Sequence, residues 1–325
     1  MKDKNLVSVT KAIAILTVIC AHVSLITRGG ALGDYSMHVL SNLGTIGVGI
    51  FYFIGGYNFR PEKYKFSESI KLKCVSIVIP WICVGTLVWL YIVLRKGGIS
   101  FVGWLKFIIG YQSYLYFLTN LIIFYLLFYL ISRIGDKKTG KIVCIVLIPL
   151  SFLSIFFESK GMSVFPNFYL DPFIFVGYFS AGYVLRGHEN VTDRRLLNSP
   201  LWIASFIIPF LPSVLLSYAG DVFVPVYETM FIIGAIALAR LLVHTVAKDV
   251  LIWMGKQSMA IYLLHMPFAG IIANIFNRFS WCAYIDFLRP FLTLAITAAL
   301  IRTMVFICQK MNACWLLKIM GIRRV

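Results

Sequence analysis

The chain has 325 residues, 60% of them hydrophobic, with a mean hydropathy of +0.87 and a formal net charge of +17. Soluble domains average about 45–50% apolar and about 25% charged residues, so a chain with only 13% charged residues is not an ordinary soluble protein, and its packing is helix against helix in lipid. The basic residues are scattered over loops rather than gathered in a stripe, which excludes a nucleic-acid surface and makes the lipid bilayer the first expected partner.

Apolar runs near 20 residues, broken by charged or Pro/Gly-rich loops, predict about ten membrane-spanning helices. In chain order they are 6–26, 41–59, 74–94, 115–132, 142–157, 171–185, 200–218, 225–243, 257–276 and 287–308. Residues 99–110 are too short to span and are expected to lie in the interface or re-enter. The expected fold is all-α: a polytopic integral membrane protein forming one transmembrane domain over residues 1–325, with the tail 309–325 cytoplasmic. With the N-terminus inside, twenty Lys and Arg residues fall in loops and tails on the inner side and six on the outer. That bias predicts cytoplasmic N- and C-termini. The first span lacks a small-x-small cleavage site and is not expected to be a removable signal.

The first span carries two ionisable residues that a bilayer disfavours, Lys11 and His22. Eleven positions at 100° each leave them only about 20° apart around a helix and about 16 Å apart along it. An intramembrane Lys costs on the order of 3 kcal/mol and usually faces a protein interior or a watery cavity. The alternative is that Lys11 snorkels to one surface while His22 rests near the other. In the second span, Gly44, Gly47, Gly49, Gly55 and Gly56 suit close helix packing. In the eighth, Glu228 and Arg240 are too far apart to pair within one helix, and Arg289 and Arg302 likewise need partners elsewhere. In the ninth, Ser258, Tyr262 and His265 stand at i, i+4 and i+7, on one helical face. Such a stripe serves either as interhelical glue or as a site. The seven cysteines include no C-x-x-C pair and are expected to be apolar fillers, so no metal site is indicated.

Four stretches carry a resemblance. Lys11 and His22, with ten residues between them, resemble the R/K-x10-H signature on the first helix of the acyltransferase type 3 family, integral-membrane O-acyltransferases of bacterial surface glycans. The stretch from Gly47 to Tyr57 is similar to the family's second helix, with Gly55 where Ser is usual. Asp171 to Tyr183 is similar to a later helix, and Gly255 to Pro267 to its motif ending in Y-L-x-H-x-P. Two departures stand out. The family's arginines shortly before the Pro of its third helix are absent before Pro80, where Lys71 and Lys73 stand further back. The usual aromatic run in the fourth helix is Tyr116-Phe117-Leu118 here.

The resemblance implies an enzyme that transfers an acyl group, acetyl foremost, from acyl-CoA to a hydroxyl of a surface or exopolysaccharide sugar. His22 is then the base or the acyl acceptor, with Lys11 beside it in the catalytic set. Ser258, Tyr262, His265 and Glu228 are either catalytic or structural, and Lys71 and Lys73 are candidates for donor binding. The donor is a substrate, with acetyl-CoA as the expected form. No bound cofactor is implied, the glycan acceptor is lipid-linked or polymeric, and the location is the inner (plasma) membrane. A multi-pass transporter or flippase of a glycan, with Lys11, His22 and Glu228 as a proton relay, is the alternative. The paired broken helices that mark many transporters are not evident in the sequence.

Overall fold

A computed structural model describes residues 4–24, 31–111, 113–133, 137–162, 165, 167–186, 224–278 and 283–323. The described elements are helical: α1 (Lys4–Ser24), α2 (Ala31–Asn58), α3 (Phe66–Lys73), a π-helical turn (Cys74–Val78), α4 (Ile79–Lys96), α5 (Phe101–Ile108), α6 (Tyr116–Ile131), α7 (Lys137–Ser159), α8 (Pro172–Leu185), α9 (Val224–Leu242), α10 (Lys248–Lys256), α11 (Ser258–Arg278), α12 (Arg289–Lys310) and α13 (Trp315–Ile319). Seven stretches among the described residues are long and apolar enough to cross a membrane, and Tyr116–Ile131 and Met230–Leu242 are shorter apolar helices. The protein is therefore a multi-pass membrane protein, helical in its described elements. The expected span 200–218, loop residues Arg194 and Arg195, and Cys282 lie outside the described residues.

Several boundaries differ from the sequence expectation for physical reasons. Helix α2 starts at Ala31, ten residues before the apolar window, because helix formation does not end where polarity begins. The third span is preceded by polar helix α3, where the Glu68 carboxylate accepts the Lys65 backbone N–H at 3.3 Å. Residues 101–108 form helix α5, capped by Ser100 Oγ, which accepts the Gly103 N–H. Helix α8 starts sharply because Asp171 caps it, accepting the Phe173 N–H at 2.8 Å, and Pro172 sits at its first position. The ninth span is α11, and a separate helix, α10, precedes it, the two divided at Gln257. That side chain is buried and pairs with the tail backbone: Gln257 Nε2 donates to the Arg323 carbonyl at 2.6 Å, and the Arg323 N–H donates to Gln257 Oε1 at 3.0 Å.

The chain forms two compact units, residues 1–51, 190–317 and 322–325 in one and residues 52–189 and 318–321 in the other. In the first, α1 is the central strut, packed against α9, α10, α11 and α12. Near its start Leu6 and Val9 cluster with Ala239 and Ile252. Gly44 and Gly47 of α2 bring their backbone against Ala21 and Ala14. Apolar burial drives little association inside lipid, so such close backbone approach, with its dense van der Waals contact, carries the packing. Gly255 is the tightest case, since a Cβ there would overlap the Ser8 carbonyl.

In the second unit α8 packs on α7 and α6. Its core is aromatic: Tyr52 lies 4.8 Å from Phe117, and Phe128 lies 4.6 Å from Phe179. Gly56 and Gly182 make a reciprocal contact, each leaving no room for a Cβ beside the Phe179 and Phe53 carbonyls respectively. Ser151 Oγ donates to the Ile174 carbonyl, tying α7 to α8. Leu87, Leu94, Leu153 and, in the first unit, Phe306 are exposed, as lipid-facing side chains of membrane helices are.

Candidate active site

Helix α1 is unbroken from Lys4 to Ser24, so Lys11 and His22 keep the spacing of about 16 Å that helical rise imposes. Both are half-buried. They cannot touch the same reacting atom, and the group brought to His22 comes from another helix. The His265 ring on α11 lies with its centre 5.1 Å from that of His22, tilted by 44°.

The path of the chain explains this meeting. Gly255 rests on Ser8 near the start of α1, and His265 rests beside His22 near its end. From Gly255 to His265 the chain therefore runs alongside α1 in the same direction. His265 is fully buried, and its Nδ1 lies 2.7 Å from the Tyr262 carbonyl oxygen and 3.2 Å from that of Ile261. The Tyr262 ring packs 6.0 Å from the His265 ring. Pro267, two residues on, supplies no N–H to the helical ladder.

Ser258, Tyr262 and His265 all lie on α11 and are all buried, so the predicted stripe is an inward face. Ser258 begins the helix, about 10 Å along the axis from His265 at the usual rise. Glu228 lies on α9, which packs against α1, but its side chain is outside the described residues.

Lys71 and Lys73 occupy the last turn of α3 in the second unit. Lys71 is exposed. Lys73 Nζ sits 3.6 Å above the Tyr125 ring of α6, and Lys73 lines an open groove with Phe66, Ser69, Ile70, Tyr125 and Tyr129. The hydroxyl of Tyr129, one of the lining residues, accepts from Arg133 Nη2 at 2.7 Å. The π-helical turn Cys74–Val78 forms part of the wall, and such turns are frequent at functional sites.

The late arginines acquire partners that the sequence did not reveal. Arg289 pairs with Asp286 at 2.9 Å, both nearly inaccessible, and Ser36 Oγ donates to Asp286 at 3.4 Å. The i, i+3 spacing of Asp286 and Arg289 was the available signal. Arg302 lies 5.1 Å above the Trp253 ring. The first is a buried ion pair with hydrogen-bonding neighbours, the second a guanidinium over an indole ring.

Comparison with known proteins agrees with the family resemblance. No curated protein matches the chain, and no solved structure matches it. The family model described as an acyltransferase domain matches residues 7–308, nearly the whole chain, with His22 and His265 inside the match. The chain belongs to the acyltransferase type 3 family and is a membrane acyltransferase.

Proposed function

We propose that the protein transfers an acyl group, acetyl foremost, from acyl-CoA to a hydroxyl of a cell-surface or exopolysaccharide sugar, in the inner (plasma) membrane, with His22 as the proton-transferring group. The observation that carries this reading is the pair of imidazoles, His22 and His265, brought together by two helices of an acyltransferase domain. A neutral imidazole accepts a proton near pH 7. As the hydroxyl oxygen forms its bond to the thioester carbonyl, His22 takes the hydroxyl proton. The carbon–sulfur bond then breaks, and the proton passes to the departing CoA sulfur. In the variant route the imidazole carries the acyl group between the two partners. Lys11, on the same face of α1, supplies a positive charge at a distance.

Lys71, Lys73 and other inner-loop cations hold the CoA phosphates in this reading, and the groove beside Lys73 suits the donor's less polar portion. Purified protein in nanodiscs should bind acetyl-CoA with an affinity that falls as salt rises, because exposed charge pairs are screened within about 8–10 Å at physiological ionic strength. Lys71→Ala with Lys73→Ala should weaken binding and flatten that salt dependence. Calorimetry across a salt series checks both; binding indifferent to salt contradicts the donor site.

The proposed topology places both termini in the cytoplasm. The parallel course of α1 and α11 fits a count of ten in which they are the first and ninth crossings. Reporters fused after Lys73 and Lys141 should read cytoplasmic, and one after Asp221 external. The same side for Lys73 and Asp221 overturns the count.

A further inference from the structure

The second histidine has a more definite task than filling space. Carbonyl oxygens only accept hydrogen bonds, so the Nδ1 atom of His265, 2.7 Å from the Tyr262 carbonyl and 3.2 Å from that of Ile261, carries the hydrogen. In the neutral ring Nε2 is then the acceptor. The backbone of α11 thereby chooses the tautomer of a fully buried imidazole. Two imidazoles joined by one N–H···N bond of about 3 Å have centres roughly 5–5.5 Å apart. The two rings here are 5.1 Å apart.

Resting on the reading of His22 as the base, we propose that His265 is a positioning residue. Its Nε2 accepts a hydrogen bond from one ring nitrogen of His22, directly after a small ring rotation or through one water, and so keeps the other His22 nitrogen unprotonated toward the acceptor hydroxyl. During transfer the hydroxyl proton goes to that second nitrogen. The resulting imidazolium keeps its bond to His265 and then gives the proton to the CoA sulfur, while His265 stays neutral throughout. The arrangement parallels the buried carboxylate that fixes the histidine of a hydrolase triad, with a neutral acceptor in its place. Tyr262 serves twice, its carbonyl pinning Nδ1 and its ring packing against the His265 ring.

The test compares His265→Leu, which keeps apolar bulk but no acceptor, with His265→Gln, whose amide oxygen reaches about as far as Nε2. The donor is acetyl-CoA and the acceptor is surface glycan isolated from a strain lacking the gene. His265→Leu should lower kcat by about 10²–10³ with KM for acetyl-CoA unchanged, within the range usual for impaired acid–base catalysis. His265→Gln should stay within about tenfold of wild type. Nitrogen NMR of ring-labelled protein should find His22 in one tautomer in the wild type and in His265→Gln, and in a mixture in His265→Leu. Unchanged kcat and an unchanged His22 tautomer in folded His265→Leu overturn the proposal. So does a wild-type His22 that populates both tautomers, whether or not the variants fold. His22→Ala runs alongside: if it retains transfer, the reading of His22 itself fails. If it is inactive while His265→Leu is fully active, only the role of His265 fails.

Discussion

His22→Ala is expected to abolish measurable acyl transfer while leaving the protein folded in the membrane. Removing a polar, half-buried side chain makes α1 more apolar, so insertion is not impaired, and α1 also packs against α9, α10 and α12. Loss of a general base removes about 10²–10⁴ of the rate, and loss of a covalent acceptor removes that route altogether. The defect should lie in kcat, because the cations proposed to hold the donor, Lys71 and Lys73, are on α3 and not on α1. Lys11→Ala should reduce the rate more modestly and Lys11→Arg should restore much of it, since a charge about 16 Å along the helix acts through its field and not by contact. Single-turnover transfer with size-exclusion profiles of the same preparations separates lost chemistry from lost protein. A His22→Ala enzyme with normal kcat and raised KM would mean that the ring binds substrate and does not move a proton.

The second large effect concerns the fold. Gly255→Val and Gly182→Val are each expected to eliminate most correctly folded protein. The added side chain at 255 meets the Ser8 backbone, and that at 182 meets the Phe53 backbone; neither can swing aside as a flexible side chain would. Overpacking typically costs about 1–3 kcal/mol when neighbours can relax, and a backbone obstacle forces two helices apart instead. Native stability is only about 5–15 kcal/mol in total. Gly270→Ala is the matched control, because nothing lies within 4 Å of its added Cβ and alanine favours helix. Thermal denaturation in detergent should rank Gly270→Ala with wild type and both valine variants far below it. A valine variant as heat-stable as wild type would show that these contacts are looser than described.

Most helices were legible because lipid imposes a single rule: about 20 apolar residues, with charge outside. The rule fails where the cause of an element is not hydropathy. Helix α3 is polar and is set by its own capping, so an apolar window begins only at its end. The break between α10 and α11 involves the pairing of Gln257 with the Arg323 backbone, a tertiary contact that local pattern does not encode. At the candidate site, helical angles place Lys11 and His22 on one face, and Ser258, Tyr262 and His265 on another. Periodicity names a face but not what covers it, so the meeting of His22 with His265 emerges only in three dimensions. Asp286 stands one residue before the expected tenth span, outside the window searched for polar residues, although its spacing to Arg289 was in plain view.

The most direct test of His22-dependent glycan acylation is made in the cell. The gene is deleted and restored as wild type, His22→Ala or Lys11→Arg, with membrane levels of each protein matched, and O-acyl groups on purified surface glycan are quantified by proton NMR. Wild type should restore the acyl signals fully, Lys11→Arg in large part, and His22→Ala not detectably. Normal acylation by a well-folded His22→Ala protein, or glycan acylation unaffected by the deletion, would contradict the account.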